Sequence, residues 1–247
     1  MSDMAGQAAA AAESARDAIL ASLSDDRARS MEPADGYHFS PHLTCLLQPD
    51  SAATDSIRSL RSHLMAGHVR GGRRALAVCA PESGVGNTFV AANLAVAFAQ
   101  AGINTLLIDA NLHRPGVERY VQTDTLAAGL RQMLSAGVDE PVDEIRRDVL
   151  PNLSVLYAGG TGSGSSELLA NRQFKQLIDE CMRDFEFTIV DTPAENAAAD
   201  VSRVAISVRS ALIVARRNQS YTSQVKALAT QLSSDGVRLV GTFLTDF

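Results

Sequence analysis

Short apolar runs recur along this chain at intervals that leave room for a helix between them, and that spacing limits the folds open to it. Ala75–Ala80 is one such run, bounded by Arg73 and Arg74 on one side and Pro81 on the other. Others are Thr105–Asp109, Leu153–Tyr157, Phe187–Asp191, Ala211–Ala215 and Leu239–Leu244. They are too short for buried helices and too uniformly apolar for strands with one wet face, so they read as strands buried on both sides. Between them lie helical stretches near 55–67, 87–101, 126–136, 166–183 and 221–233. Alternating strands and helices need crossover connections, which predicts an α/β fold: a doubly wound, mainly parallel sheet covered on both faces. In such sheets ligands bind beyond the carboxyl ends of the strands.

Composition narrows the function classes. The net charge of −6 gives no global field toward nucleic acid or anionic lipid, so no nucleic-acid partner is expected. Cys45, Cys79 and Cys181 are far apart and odd in number, which argues against zinc and disulfides and for reduced thiols in a cytoplasmic protein. No stretch approaches the ~20 consecutive apolar residues that span a bilayer, and the start of the chain lacks the basic-then-apolar order of a signal peptide. Work at a membrane would need a partner to hold the chain there. Residues 1–48 read as a flexible N-terminal tail, with a possible helix over Ala8–Leu23, and 49–247 as the folded domain.

The first core strand leads into Ala80-Pro-Glu-Ser-Gly84-Val85-Gly86-Asn87-Thr88 and then a long apolar helix. Glycines there let successive N–H groups curl into an anion nest, and the helix start adds its positive end. Thr88 is placed to offer its hydroxyl to magnesium. A complete phosphate loop ends Gly-Lys-Ser/Thr, where this one has Gly86-Asn87-Thr88. Asn87 donates a hydrogen bond but carries no charge. Hydrogen bonds to charged groups contribute about 1.5–3 kcal/mol, so nucleotide binding weakens by roughly one to two decades and survives. Phosphoryl transfer is more exposed, because losing one such contact costs on the order of 10²–10³ in rate.

Two further strands end in aspartate: Leu106-Leu-Ile-Asp109 and Phe187-Thr-Ile-Val-Asp191. A carboxylate at the end of a buried strand is costly unless it meets a cation or donors. Two of them in the sheet that carries the loop point to a magnesium site shared with Thr88. Arg58 and Arg61 read by default as a solvated helix face, and Gly159–Gly164 as a connector. Arg216 and Arg217 are compatible with either nucleotide or partner.

Together these segments resemble bacterial tyrosine kinases of the capsular and exopolysaccharide type, within the wider group of partitioning and septum-site P-loop ATPases. The resemblance covers about residues 43–247. It rests on the loop with Asn93-Leu94-Ala95 in the following helix, on Leu106-Leu107-Ile108-Asp109-Ala110-Asn111-Leu112-His113-Arg114-Pro115, on Asp191-Thr192-Pro193, on Glu167-Leu168-Leu169, and on the helix bearing Asp55, Arg58 and Arg61. The resemblance implies ATP or ADP with magnesium, held by Gly84, Val85, Gly86, Asn87, Thr88 and Arg114. It implies that Thr88, Asp109 and Asp191 serve the metal, with Asp109 and Asp191 catalytic and Asp109 the base toward a tyrosine hydroxyl. Asp55, Arg58 and Arg61 would join subunits into a homo-oligomer. A membrane-embedded polysaccharide chain-length regulator would be the partner.

Four departures mark a degenerate member. Asn87 replaces the loop lysine, Asn111 an aspartate and His113 an arginine, and Thr245-Asp246-Phe247 carries no tyrosine cluster. Thr245 also stands where the wider group often has an asparagine. The expectation is an ATP-binding regulator, weak or inactive in phosphoryl transfer. Two alternatives stay open: an active autokinase using another cation, from Arg114 or a partner, and a scaffold that binds no nucleotide.

Overall fold

The computed structural model describes residue 31 and residues 34–125, 128–136, 144–193 and 198–246. All six apolar runs form strands: β2 (Ala75–Cys79), β3 (Thr105–Asp109), β6 (Leu153–Leu156), β7 (Phe187–Asp191), β8 (Ser210–Arg216) and β9 (Arg238–Thr245). With β5 (Arg146–Leu150) they make a seven-stranded sheet of order β5-β6-β3-β7-β2-β8-β9, parallel except for β5. The doubly wound α/β prediction holds. β5 was not foreseen, because only its last two residues are buried and its sequence is mostly charged.

Alternate residues of each strand feed two cores. Leu76, Val78, Phe187 and Ile189 face a cluster with α2 (Ala52–Leu64) and α3 (Asn87–Gln100), where Phe98 stacks on Phe187 at 4.4 Å between ring centroids. Ala75, Ala77, Cys79 and Val190 face the other cluster. It is completed by α4 (Leu130–Ser135), α5 (Ser165–Ala170), α6 (Arg172–Asp184), α7 (Ala198–Val208) and α8 (Thr222–Ser234). Strands wet on neither face are what a helix layer on each side requires. Among the described residues no helix is long and apolar enough to cross a membrane.

Local chemistry sets several boundaries. Ser51 caps α2 by accepting the Thr54 N–H at 3.2 Å. The single helix expected over 166–183 is two, because Asn171 adopts an extended backbone and caps α6 through the Gln173 N–H. The helix expected from 126 begins at Leu130, while 126 and 127 lie outside the described residues.

The largest correction concerns the tail. β1 (Tyr37–Phe39) pairs antiparallel with β4 (Val121–Thr123), and the short α1 (Thr44–Leu47) packs on α3. Leu43 and Cys45 are fully buried, so residues 34–48 belong to the folded domain and not to a flexible segment. Residues 1–30, with the expected helix Ala8–Leu23, lie outside the described residues.

The fastener of this segment is Asn93, completely buried in α3. Its Oδ1 accepts from the Cys45 N–H at 3.0 Å and the Thr44 hydroxyl at 3.2 Å, and its Nδ2 donates to the His42 and Phe89 carbonyls, each at 3.0 Å. Asn93→Leu, of similar size, strands the Cys45 N–H and the His42 carbonyl away from water. A loss of about 2–4 kcal/mol in urea unfolding is expected. An unchanged midpoint would show that segment 34–48 contributes nothing to stability.

Candidate functional site

The turn from β2 to α3 lies where the sheet topology places ligands. Gly84 and Gly86 hold φ of +78° and +93°, a left-handed backbone that glycine alone adopts without strain. Carbonyls of the turn are tied down from outside. The Ser83 oxygen accepts from Gln219 Nε2 at 3.2 Å, the Gly84 oxygen from Arg216 Nη1 at 3.1 Å, and the Val85 oxygen from the Thr245 hydroxyl at 2.7 Å. Among the described residues, none of the backbone N–H groups from Gly84 to Thr88 donates to another protein group. A run of unanswered donors at a helix start is the chemistry of an anion site.

Asn87 is 7% exposed and turns inward. Its Nδ2 lies 2.9 Å from the Val78 carbonyl, 2.8 Å from Asp191 Oδ1 and 3.1 Å from the Thr192 carbonyl. Its Oδ1 is buried with no partner among the described residues. Thr88 donates its hydroxyl to Asp191 Oδ2 at 2.6 Å. The side chain at the lysine position therefore braces a carboxylate at the floor of the loop.

Pairing of β3 with β7 sets Asp109 opposite Asp191, both fully buried. Asp109 Oδ1 accepts the Asn111 N–H at 3.0 Å, and Oδ2 accepts those of Gly116 and Val117 at 2.8 and 2.9 Å. Asp109 thus ties down the loop that follows its own strand, while Oδ1, with one amide on it, keeps acceptor capacity. Gly116 brings this loop against the phosphate turn: a Cβ there would lie 2.7 Å from Thr88 Oγ1. Arg114 is exposed on the same loop, its N–H bonded to Asn111 Oδ1 at 3.0 Å.

Burial drives the acidity of this pair. Loss of water pushes Asp109 up to about 6 against the pull of its three amides. Burial first, and then the neighbouring Asp109 charge, hold Asp191 well above the usual carboxylate range, opposed by the bonds from Thr88 and Asn87 and by the Arg119 charge. Among the described residues no group of three or more His, Cys, Asp or Glu side chains is arranged to hold a metal. Magnesium at this place would have Thr88 and Asp191 beside it and take its remaining oxygens from phosphate and water, as this hard cation commonly does.

Other expected residues fall elsewhere. In α2, Arg58 donates to the Pro49 carbonyl at 2.8 Å and Arg61 to the Ala97 carbonyl at 3.0 Å, while Asp55 is exposed in the first turn. Both arginines thus bond within their own chain. His113 pairs with the buried Asp200 at 2.9 Å, and Asp200 also takes Ser166 at 2.8 Å and Arg203 at 2.6 Å. Despite its burial, Asp200 is held below the ordinary carboxylate value by these donors. The glycine stretch before α5 is no free connector, because Arg131 binds the Gly162 and Ser163 carbonyls. Gln219 and the role of Thr245 as a clamp were missed, since neither matches a motif and both reach the turn only through folding.

An isosteric amide at 191 separates the cost of the buried charge from its hydrogen bonds. Asp191→Asn can still accept from Asn87 and donate to Thr88. Below the ordinary carboxylate range Asp191 is protonated in folded and unfolded chains alike. Above it the unfolded chain solvates a charge that the folded chain must bury, so wild-type stability falls as pH rises toward the raised value. The variant should exceed wild type by on the order of 1 kcal/mol or more near pH 8, with the difference gone near pH 4. Melts across this range check it, and equal stability at the alkaline end would contradict the buried-charge account.

Comparison with known proteins agrees with this geometry. The family model of the CobQ/CobB/MinD/ParA nucleotide binding domain matches residues 76–246. CapB of Staphylococcus aureus is 28% identical over 197 residues, 80% of this chain and 86% of CapB. The tyrosine-protein kinase Etk of Escherichia coli is 30% identical over 196 residues, 79% of this chain, but this stretch is only 27% of Etk. The solved kinase domain of Etk superposes with a TM-score of 0.76 at 26% identity, covering 83% of this chain and 79% of that one. A more distant likeness, to the septum-site protein MinD of Pyrococcus horikoshii complexed with Mg-ADP (TM-score 0.58, 20% identity, 70% of each chain), shows the shared fold. Strand order, turn and sequence converge on one assignment: the chain belongs to the CobQ/CobB/MinD/ParA nucleotide-binding domain family.

Proposed function

We propose that this chain binds ATP or ADP with magnesium and acts as a kinase-like regulator of capsule or exopolysaccharide assembly, weak in phosphoryl transfer. The observation that carries the nucleotide reading is the run of unanswered N–H groups from Gly84 to Thr88, with the carbonyls of Ser83, Gly84 and Val85 held outward. The likeness to Etk and its kinase domain supports the kinase ancestry. On the same likeness rest a membrane-embedded chain-length regulator as partner and self-association through the α2 face with Asp55, Arg58 and Arg61. Attachment at the membrane would come through that partner.

In this reading the amides orient the phosphates, and the family resemblance adds Arg114, exposed on the loop that follows β3, as a nucleotide contact. Thr88 and Asp191 would hold magnesium, and the metal would neutralise charge on the phosphate oxygens. Asp109, raised to about 6 by burial, takes the proton of an incoming tyrosine hydroxyl at Oδ1. Slow transfer follows from Asn87, whose amide is bound to Val78, Asp191 and Thr192 and brings no charge to the phosphates.

Titration calorimetry with Mg-ATP should give saturable binding, tightened about tenfold in Asn87→Lys. Absence of saturable binding would leave a scaffold without nucleotide. Phosphotyrosine detection after incubation with Mg-ATP should give at most a trace. Robust incorporation that Asp109→Asn abolishes would overturn the weak-transfer reading and establish an active autokinase.

A further inference from the structure

A site with two buried carboxylates and no lysine in its loop needs positive charge from elsewhere before a triphosphate is comfortable in it. Most nearby arginines are occupied: Arg216 on the Gly84 carbonyl, Arg131 on the glycine stretch before α5, Arg203 on Asp200. Arg119 is different. It closes the single 3₁₀ turn Val117–Arg119 that follows the Asp109-bound loop, it is exposed, and its guanidinium has no hydrogen bond or ion pair among the described residues. Its charge nevertheless acts on Asp191 and on Tyr120.

Gly116 shows how near it lies to the phosphate turn. The point where a Cβ at 116 would sit is 3.3 Å from Arg119 Nη2 and 2.7 Å from Thr88 Oγ1. Guanidinium and hydroxyl therefore flank one spot, at the start of the helix whose amides are unanswered. The amides of Gly116 and Val117 are fixed by Asp109 Oδ2, so the turn carrying Arg119 is anchored to the same strand end as the site. A guanidinium is permanently charged and forked, suited to phosphate oxygens.

We propose that Arg119 supplies the positive charge that the phosphate loop lacks, by contacting phosphate oxygens of a nucleoside triphosphate seated on Gly84–Thr88. This rests on the nucleotide reading above and names the residue that compensates for Asn87. It differs from the sequence-based expectation, which pointed to Arg114 or a partner's arginine.

The test is Mg-ATP titration of wild type, Arg119→Gln, Arg119→Lys and both substitutions in an Asn87→Lys background, with a thermal melt of each. Arg119→Gln should weaken binding about tenfold, while Arg119→Lys should recover much of it. In the Asn87→Lys background the same Arg119→Gln change should cost far less, because the loop then carries its own charge. Each Arg119 variant should melt close to its own parent, wild type or Asn87→Lys, since the exposed guanidinium makes no hydrogen bond to a protein group among the described residues. Undiminished affinity in Arg119→Gln, with wild type binding saturably, overturns the assignment and leaves the nucleotide reading intact. An equal loss in both backgrounds, or a loss that Lys does not relieve, also overturns it. No saturable binding by wild type removes both readings together.

Discussion

The parallel pairing of β3 with β7 puts two carboxylates side by side where no water reaches them, and the local structure answers that charge. Asp109 is met by amides of its own loop, and Asp191 by the side chains of Asn87 and Thr88. Neither set suffices to bring the acidity back to normal, and both groups remain raised. Burying charge without full compensation is unfavourable to folding, so these two strand ends are sites of uncompensated electrostatic cost.

The phosphate turn shows the complementary device. A backbone that offers its N–H groups to a ligand must keep its carbonyls turned away, and here distant side chains do this. Arg216 ends β8, Gln219 follows it and Thr245 ends β9, so three carbonyls of the turn are fixed by the β8–β9 side of the sheet. Thr245 stands where the wider group often has an asparagine, and in this chain its hydroxyl bonds to the turn itself. Pre-orientation of this kind lowers the ordering cost that binding must overcome.

Asn87 is more than a lysine deleted. A long ammonium side chain would extend toward bound phosphate, whereas the short amide is drawn down into bonds with Val78, Asp191 and Thr192. The substitution converts a ligand-facing position into a structural one. His113 follows the same pattern: at a position where the kinase pattern has arginine, it joins Asp200, Ser166 and Arg203 in a network linking the β3 loop to α5 and α7.

Sequence by itself determined the architecture and which residues of the strand ends and the turn were candidates for a site. Apolar runs too short for buried helices and bounded by breakers read as two-sided strands, and Asp109, Asp191, Gly84, Gly86 and Thr88 were readable as candidates because their chemistry is local: a strand end, a left-handed turn, a hydroxyl at a helix start. Tertiary structure alone decided which groups meet across long separations. That Asn93 fastens segment 34–48, that Asn87 points inward, that Thr245 holds Val85, and that Arg119 lies beside Thr88 all depend on side chains brought together by sheet order. Such contacts leave no period or spacing in the chain, because a hydrogen bond fixes only where two atoms end up in space, not how many residues lie between them.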